Sequence, residues 1–217
     1  FRRVLFRSND SRGFYTSRVF STFCFEGLAM LQEGVAPALI ENAARQAGMP
    51  VGPLAVSDEV SIELQWKIMK QEQADLGERF RPPVGHEVVR RFVEELKRPG
   101  RRLGAGFYEY PAEGRKFLWP GLDSLYPRLA EQPAVEELKK RFLYIQALET
   151  ARCVEEGVIE HPADADLGSL FGWGFPPHTG GTLSFIDTVG VAEFVSECQR
   201  LAKAHGPRFR PSKALRE

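Results

Sequence analysis

Few side chains in this sequence stand where they could do chemistry. His178 lies in Gly174-Phe-Pro-Pro-His-Thr-Gly-Gly181, a turn stiff enough to aim an imidazole for proton transfer. No carboxylate or cysteine stands at motif spacing from it, so a structural role prevails. His86, His161 and His205 sit in polar or proline-flanked stretches and read as surface residues. Asp58 and Asp187 are candidate acids, but each falls where a turn meets a helix, which favours N-capping. Cys24, Cys153 and Cys198 are odd in number and scattered, with no CxxC, which excludes a disulfide framework and suits a reducing compartment. HExxH, GxSxG, P-loop and EF-hand signatures are missing. Gly104-Ala-Gly106 and Gly172-Trp-Gly174 lack the third glycine of a dinucleotide fingerprint and read as turns, so no cofactor-binding residue and no metal ligand is assigned.

The elements that position these residues are helical almost throughout. Phe20, Phe23, Cys24, Leu28 and Leu31 recur at three- and four-residue steps, marking a helix from Ser17 to Glu33 that stops at Gly34. Pro37 opens a second helix that runs to Ala47 and ends at Gly48. Gly48-Met-Pro-Val-Gly-Pro53 is a rigid turn into a helix over Leu54 to Gln73, and Glu87 to Lys97 forms a short amphipathic one. Pro99 to Pro111 reads as a glycine-rich loop entering a short extended segment, and residues 112–133 as an exposed connector. Further helices span Val135 to Glu156, Pro162 to Leu170, and Gly181 to Lys203 with a bend near Gly190. Alternating β-branched runs are missing, so the class is mainly α.

Composition bounds the rest. The 217 residues carry 29 basic and 29 acidic side chains, with 43% hydrophobic content. A neutral chain is not a general nucleic-acid binder, and no run of about 18 apolar residues could span a membrane. The basic leader Phe1-Arg-Arg-Val-Leu-Phe-Arg-Ser8 lacks the apolar stretch of a signal peptide and is similar to a translated sequencing-adapter oligonucleotide, so residues 1–8 read as an assembly scar. Without Arg2, Arg3 and Arg7 the balance is 26 basic against 29 acidic residues, net −3.

An internal repeat organises the chain. Glu33-Gly-Val35 returns as Glu156-Gly-Val158, each after a long helix opened by a basic residue, Arg18 or Arg141. Ala47-Gly-Met-Pro50 is echoed by Trp173-Gly-Phe-Pro176, and Ser57-Asp-Glu-Val-Ser61 by Ile186-Asp-Thr-Val-Gly190. The offset drifts from 123 to 129 residues, as small loop insertions produce. Two helix–helix–turn–helix units, residues 9–111 and 134–217, are therefore expected to pack across a pseudo-twofold, each burying an apolar face too wide to bury alone.

These motifs have a family counterpart. Asn9-Asp-Ser-Arg-Gly-Phe-Tyr-Thr-Ser-Arg18 resembles the N-D-x-P-G-F-x-x-N-R signature that opens the C-terminal domain of 3-hydroxyacyl-CoA dehydrogenases. Gly48–Pro53 with Asp58, and Gly104-Ala-Gly-Phe-Tyr-Glu-Tyr110, are similar to its next landmarks. Glu155–Ile159 and Gly174–Gly181 resemble the second repeat of multifunctional β-oxidation proteins. The resemblance implies a helical fold like the C-terminal domain of 6-phosphogluconate dehydrogenase, with both repeats in one chain. It implies oxidation of 3-hydroxyacyl-CoA to 3-oxoacyl-CoA in fatty-acid β-oxidation. In that reaction a Rossmann domain upstream binds NAD and holds a His–Glu pair, and the helical domain closes the acyl-CoA cleft.

Carried over residue by residue, the resemblance puts Ser17 at the motif's substrate-orienting Asn, and Arg12 at its Pro. Ser17 is thus the candidate catalytic and substrate contact, with N-capping of the long helix as its other role. Met49, Pro50, Val51 and Pro53 match positions near the acyl chain, or simply make a rigid turn. Expected partners are an acyl-CoA, the Rossmann domain and a thiolase subunit; the expected compartment is the bacterial cytoplasm, and the fragment alone is expected to be inactive. Because Ser17 replaces an amide, the alternative is a non-catalytic helical assembly module of a β-oxidation complex. A domain from a hydroxy-acid or sugar-acid dehydrogenase fits the two-copy arrangement and the Gly-Phe-Pro-Pro turn poorly.

Overall fold

The computed structural model describes residues 6–216. Of the suspected scar, residues 1–5 lie outside the described residues. The chain is mainly helical, and its described residues form two compact units. One holds the residues up to Phe23, Arg45–Pro50 and the chain from Glu136 onward; the other holds Cys24–Ala44 and Val51–Val135.

The long first helix, α1 (Thr16–Gln32), contributes to both ranges. It is followed by α2 (Pro37–Gln46), α3 (Pro53–Val60), α4 (Ile62–Leu76) and the short α5 (His86–Arg90), which runs into a π-helical turn over Arg91–Glu95. Two-residue strands β1 (Tyr108–Glu109) and β2 (Phe117–Leu118) pair antiparallel, with Tyr108 opposite Leu118. A single turn, α6 (Gly121–Leu125), precedes α7 (Val135–Glu155), α8 (Pro162–Gly172), α9 (Thr182–Val189) and α10 (Val191–His205).

Glycine and proline punctuation places most of these boundaries. Gly34 and Gly157 end their helices at φ +85° and +71°, a region open to glycine at little cost, and prolines occupy the first position of α2, α3 and α8. Two expectations need correction. The helix expected over Leu54–Gln73 is broken at Ser61, which sits at φ +80° although it is not a glycine. Its hydroxyl accepts the Leu64 N–H at 3.3 Å and so caps α4, which helps to hold the strained conformation. Residues 112–133 are not a plain exposed connector: they contain β2 and α6, and Leu122 and Tyr126 are buried.

In the unit ending at the C-terminus, Tyr144, Leu148, Phe194, Cys198, Leu201 and Phe209 form one core cluster. Tyr15, Val19, Cys153, Ile159 and Ala165 form another, with Phe6 packed against it. In the other unit Leu28, Ile40, Leu54, Val88, Phe92 and Phe107 are fully buried, and Phe92 packs on Phe107 at 4.2 Å between ring centres.

Candidate functional site

The entrance to α1 is tied down before it displays anything. The Asn9 backbone N–H donates to the Val158 carbonyl at 2.8 Å, and its amide donates to the Gly157 carbonyl and to Glu160. Gly13 and Phe14 then turn the chain at φ +74° and +49°. Tyr15 is buried: its hydroxyl donates to the Ala165 carbonyl at 2.9 Å and lies 3.3 Å from the hydroxyls of Thr150 and Thr182. Burial pushes its phenol up to about 12, so it is a neutral tether and not an acid–base group.

Ser17 follows, exposed in the first turn of α1. Because the helix starts at Thr16, Ser17 is inside it and does not serve as its N-cap, which corrects that expectation. Arg18 anchors the same turn through Glu156 and Glu149, each at 2.6 Å, and Arg152 reaches Glu149 at 2.8 Å. The bond to Glu156 and the charge of Glu149 hold the Arg18 guanidinium above its ordinary range despite partial burial. Ser17 is thereby a hydroxyl on a fixed backbone, able to donate to or accept from a ligand.

The two echoed turns meet within this unit. A side chain at Gly48 (φ +103°) would approach Pro176 to 2.8 Å and His178 to 3.1 Å, and one at Gly174 (φ +76°) would approach Pro50 to 2.9 Å. Only glycine permits that approach. Met49 is sealed inside: the buried Gln146 amide N–H points at its sulfur at 3.8 Å and donates to the Phe142 carbonyl, while the Trp173 indole N–H donates to the Gln146 carbonyl oxygen at 2.9 Å. Pro50 and His178 are exposed. In the other unit Val51 is half-buried, and Pro53 is buried in the notch left by Gly27, where a Cβ would come within 2.4 Å of its ring. Of the expected acyl-chain contacts, only Pro50 is openly presented, and Met49 and Pro53 are interior packing.

The two candidate aspartates do not cap helices. Asp58 is not an N-cap. It is buried in α3, where it accepts the N–H groups of Phe107 at 2.8 Å and Tyr108 at 2.9 Å and the Tyr110 hydroxyl at 2.8 Å. Burial pushes its carboxyl up to about 6 against the opposing pull of those bonds. The Gly104–Tyr110 motif is therefore a strap docked on α3. Gly106 lies where a Cβ would sit 2.0 Å from the Asp58 oxygen. Arg98 also holds the strap, donating to the carbonyls of Gly106 and Tyr108 and stacking 4.1 Å from the Trp119 ring centre.

Asp187 is exposed on α9 and caps nothing. The residues that accept at the starts of α3 and α9 are Glu41 of α2, bonded to the Leu54 N–H at 2.7 Å, and Asp166 of α8, bonded to the Leu183 N–H at 2.8 Å. Neither stands next to the start of its helix in sequence, so no local capping pattern could have found them. His205 is not a plain surface residue either, since it bonds Glu137 at 2.8 Å.

This arrangement has little catalytic equipment of its own. All three cysteines are buried, with thiols pushed up to about 12 by burial, so none is a poised nucleophile. No group of three His, Cys, Asp or Glu able to hold a metal occurs among the described residues. Nor do they fit a dinucleotide: the sheet they form is one antiparallel pair, without the parallel βαβ crevice and glycine-rich turn that would cradle a pyrophosphate. No helix among the described residues is long and apolar enough to cross a membrane.

These features define a mainly helical chain with an exposed hydroxyl in the first turn of its first helix. Residues 13–110 match the family profile described as 3-hydroxyacyl-CoA dehydrogenase, C-terminal domain. Two solved structures share the fold. One is 3-hydroxybutyryl-CoA dehydrogenase from Escherichia coli K12, with TM-score 0.71 and 18% identity over 97% of this chain. The other is the dehydrogenase part of multifunctional enzyme 1 from C. elegans, with TM-score 0.71 and 21% identity over 95% of this chain. The chain spans 60% and 48% of those two proteins.

Proposed function

We propose that this chain is the substrate-side helical part of an NAD-dependent 3-hydroxyacyl-CoA dehydrogenase acting in fatty-acid β-oxidation. NAD and the His–Glu pair belong to a Rossmann domain outside these residues, and the helical part closes over the acyl-CoA. Ser17 contacts the substrate beside that pair, and Pro50 and Val51 line the approach of the acyl chain, with Met49 and Pro53 fixing their turn from behind. A bacterial cytoplasmic setting and a thiolase partner belong to the same reading.

The observation that carries it is the exposed, backbone-fixed Ser17 at the asparagine position of a motif lying largely within the matched family segment. The test is acetoacetyl-CoA-dependent NADH oxidation. The 217-residue chain alone is expected to show none, and turnover by it would overturn the proposal. In a polypeptide that supplies a family Rossmann domain, Ser17→Ala is expected to lower kcat/KM about tenfold, the loss of one hydrogen bond of about 1.4 kcal/mol, and Ser17→Asn to restore it. The serine itself favours one other reading, a non-catalytic assembly module. Absence of turnover with the parent serine, and its gain in Ser17→Asn, would favour that module.

A further inference from the structure

A groove of about 310 Å³ lies between the start of α4 and the turn over Pro99–Leu103. Its volume is at the small end of ligand sites, which run from about 300 to 1,000 Å³. Val60, Leu64 and Leu103 line it while remaining 41%, 51% and 63% exposed, and Ile68, one turn further along α4, is 51% exposed. Large apolar side chains left open on one face mark a surface that expects an apolar occupant.

The walls are preformed. The Glu63 N–H donates to the Pro99 carbonyl at 3.1 Å, and Gly100 lies where a Cβ would come within 2.9 Å of the Asp58 carbonyl oxygen. Leu103 N–H donates to the Gly100 carbonyl at 3.1 Å, which sets the turn carrying Arg102 and Leu103.

The charges of the lining decide what kind of apolar occupant fits. Glu63 is paired with Lys67 at 2.9 Å, and Glu59 with Lys116 at 3.1 Å and Arg101 at 3.7 Å. Arg102 is the remaining charged residue of the lining and has no ion pair or hydrogen bond among the described residues. The groove therefore presents an apolar floor and one uncompensated guanidinium at its edge. That combination suits an unbranched apolar chain ending in a single anion, and a carboxylate matches the guanidinium fork in two parallel bonds.

We infer that this groove is a binding site for a medium-chain carboxylate, with the chain on Val60, Leu64 and Leu103 and the carboxylate on Arg102. The site does not rest on the dehydrogenase reading: it is built from α4 and the Pro99–Leu103 turn, which contain none of the residues assigned to that reaction.

The test is calorimetric titration of the full chain with decanoate below its micellar range. Saturable binding of one decanoate per chain is expected, with octanoate about tenfold weaker for two fewer methylenes. Arg102→Gln is expected to weaken decanoate about tenfold, and Leu64→Ser or Leu103→Ser about fivefold, with circular dichroism and the unfolding midpoint unchanged because all three side chains are exposed. Absence of saturation would overturn the inference, as would equal binding of decyltrimethylammonium or binding indifferent to Arg102→Gln. Conversion of a dimer to a monomer by Leu64→Ser or Leu103→Ser would overturn it too, because the face would then be covered by a second copy of the chain. None of these outcomes depends on NADH oxidation, so failure here and failure of the dehydrogenase reading are told apart.

Discussion

The run α2–α3–α4 and the run α8–α9–α10 are close in plan: 10, 8 and 15 residues against 11, 8 and 15. In each, an acid on the first helix accepts at the start of the second, Glu41 for α3 and Asp166 for α9. Each second helix breaks from the third at a left-handed residue, Ser61 at φ +80° and Gly190 at φ +90°. The echoed aspartates part company there. Asp58 is buried and holds a strap by three hydrogen bonds, whereas Asp187 faces solvent. The same short motif thus preserves the backbone plan without preserving what its carboxylate does, because only the first run is followed by a Gly-Ala-Gly-Phe-Tyr segment that can bring backbone N–H groups to it.

The largest expected effects probe that strap. Gly106→Ala forces a Cβ against the Asp58 carboxylate and is expected to cost about 4 kcal/mol, overpacking plus lost buried hydrogen bonds. Gly104→Ala, at φ +83° with open space around it, is expected to cost about 1 kcal/mol. Urea midpoints of the two variants measure the contrast, and equal losses would break it.

Next come the aspartates. Asp58→Ala strands two buried N–H groups and is expected to cost about 3 kcal/mol, while Asp187→Ala stays within about 0.5 kcal/mol. Asp58 also adds a pH dependence. Its folded value, about 6, lies above the ordinary 3.8, so the stability it lends is full below about pH 4 and lost as pH rises through about 6. At about 1.4 kcal/mol per pH unit the loss is about 3 kcal/mol. Subtracting the pH profile of Asp58→Asn from that of the parent chain should leave this decline, and a flat difference would refute it.

Glu41→Ala and Asp166→Ala are each expected to cost about 2 kcal/mol by uncapping α3 and α9 and stranding a hydroxyl. The hydroxyls are Tyr108, at 2.8 Å from Glu41, and Ser184, at 2.7 Å from Asp166, with Glu41 the larger loss because it is buried and Asp166 only half-buried. Smallest is the exchange at the helix breaks. Ser61→Gly is expected to gain about 0.5 kcal/mol, strain relief less the weakened cap, and Gly190→Ser to cost about 1 kcal/mol. Thermal unfolding of both checks the signs.

Much of the helical plan was legible because glycine and proline act locally. Gly34, Gly48, Gly157 and Gly190 ended or bent helices where their conformational freedom predicts, and Pro37 opened one. The break at Ser61 was not legible, since a serine there carries no local signal; the echo of Ser61 in Gly190 was the available clue. The site was less legible. The motif points to Ser17, Met49 and Pro53 alike, and the fold leaves Ser17 exposed but buries Met49 and Pro53, because a motif does not reveal which side of a turn faces inward.

Local chemistry settled the helical class, most helix boundaries, the want of a dinucleotide fingerprint and the order of the echoed turns. These follow from backbone dihedral preferences and from a 3.6-residue apolar period, which operate over a few residues. Folding decided the roles of the polar residues. Glu41 reaches Leu54, Asp58 reaches Phe107 and Gln146 reaches Met49 across 13, 49 and 97 residues, and burial then sets whether each group is a tether or an exposed contact. Desolvation and hydrogen-bond partners are properties of the packed interior, and no stretch of sequence carries them by itself.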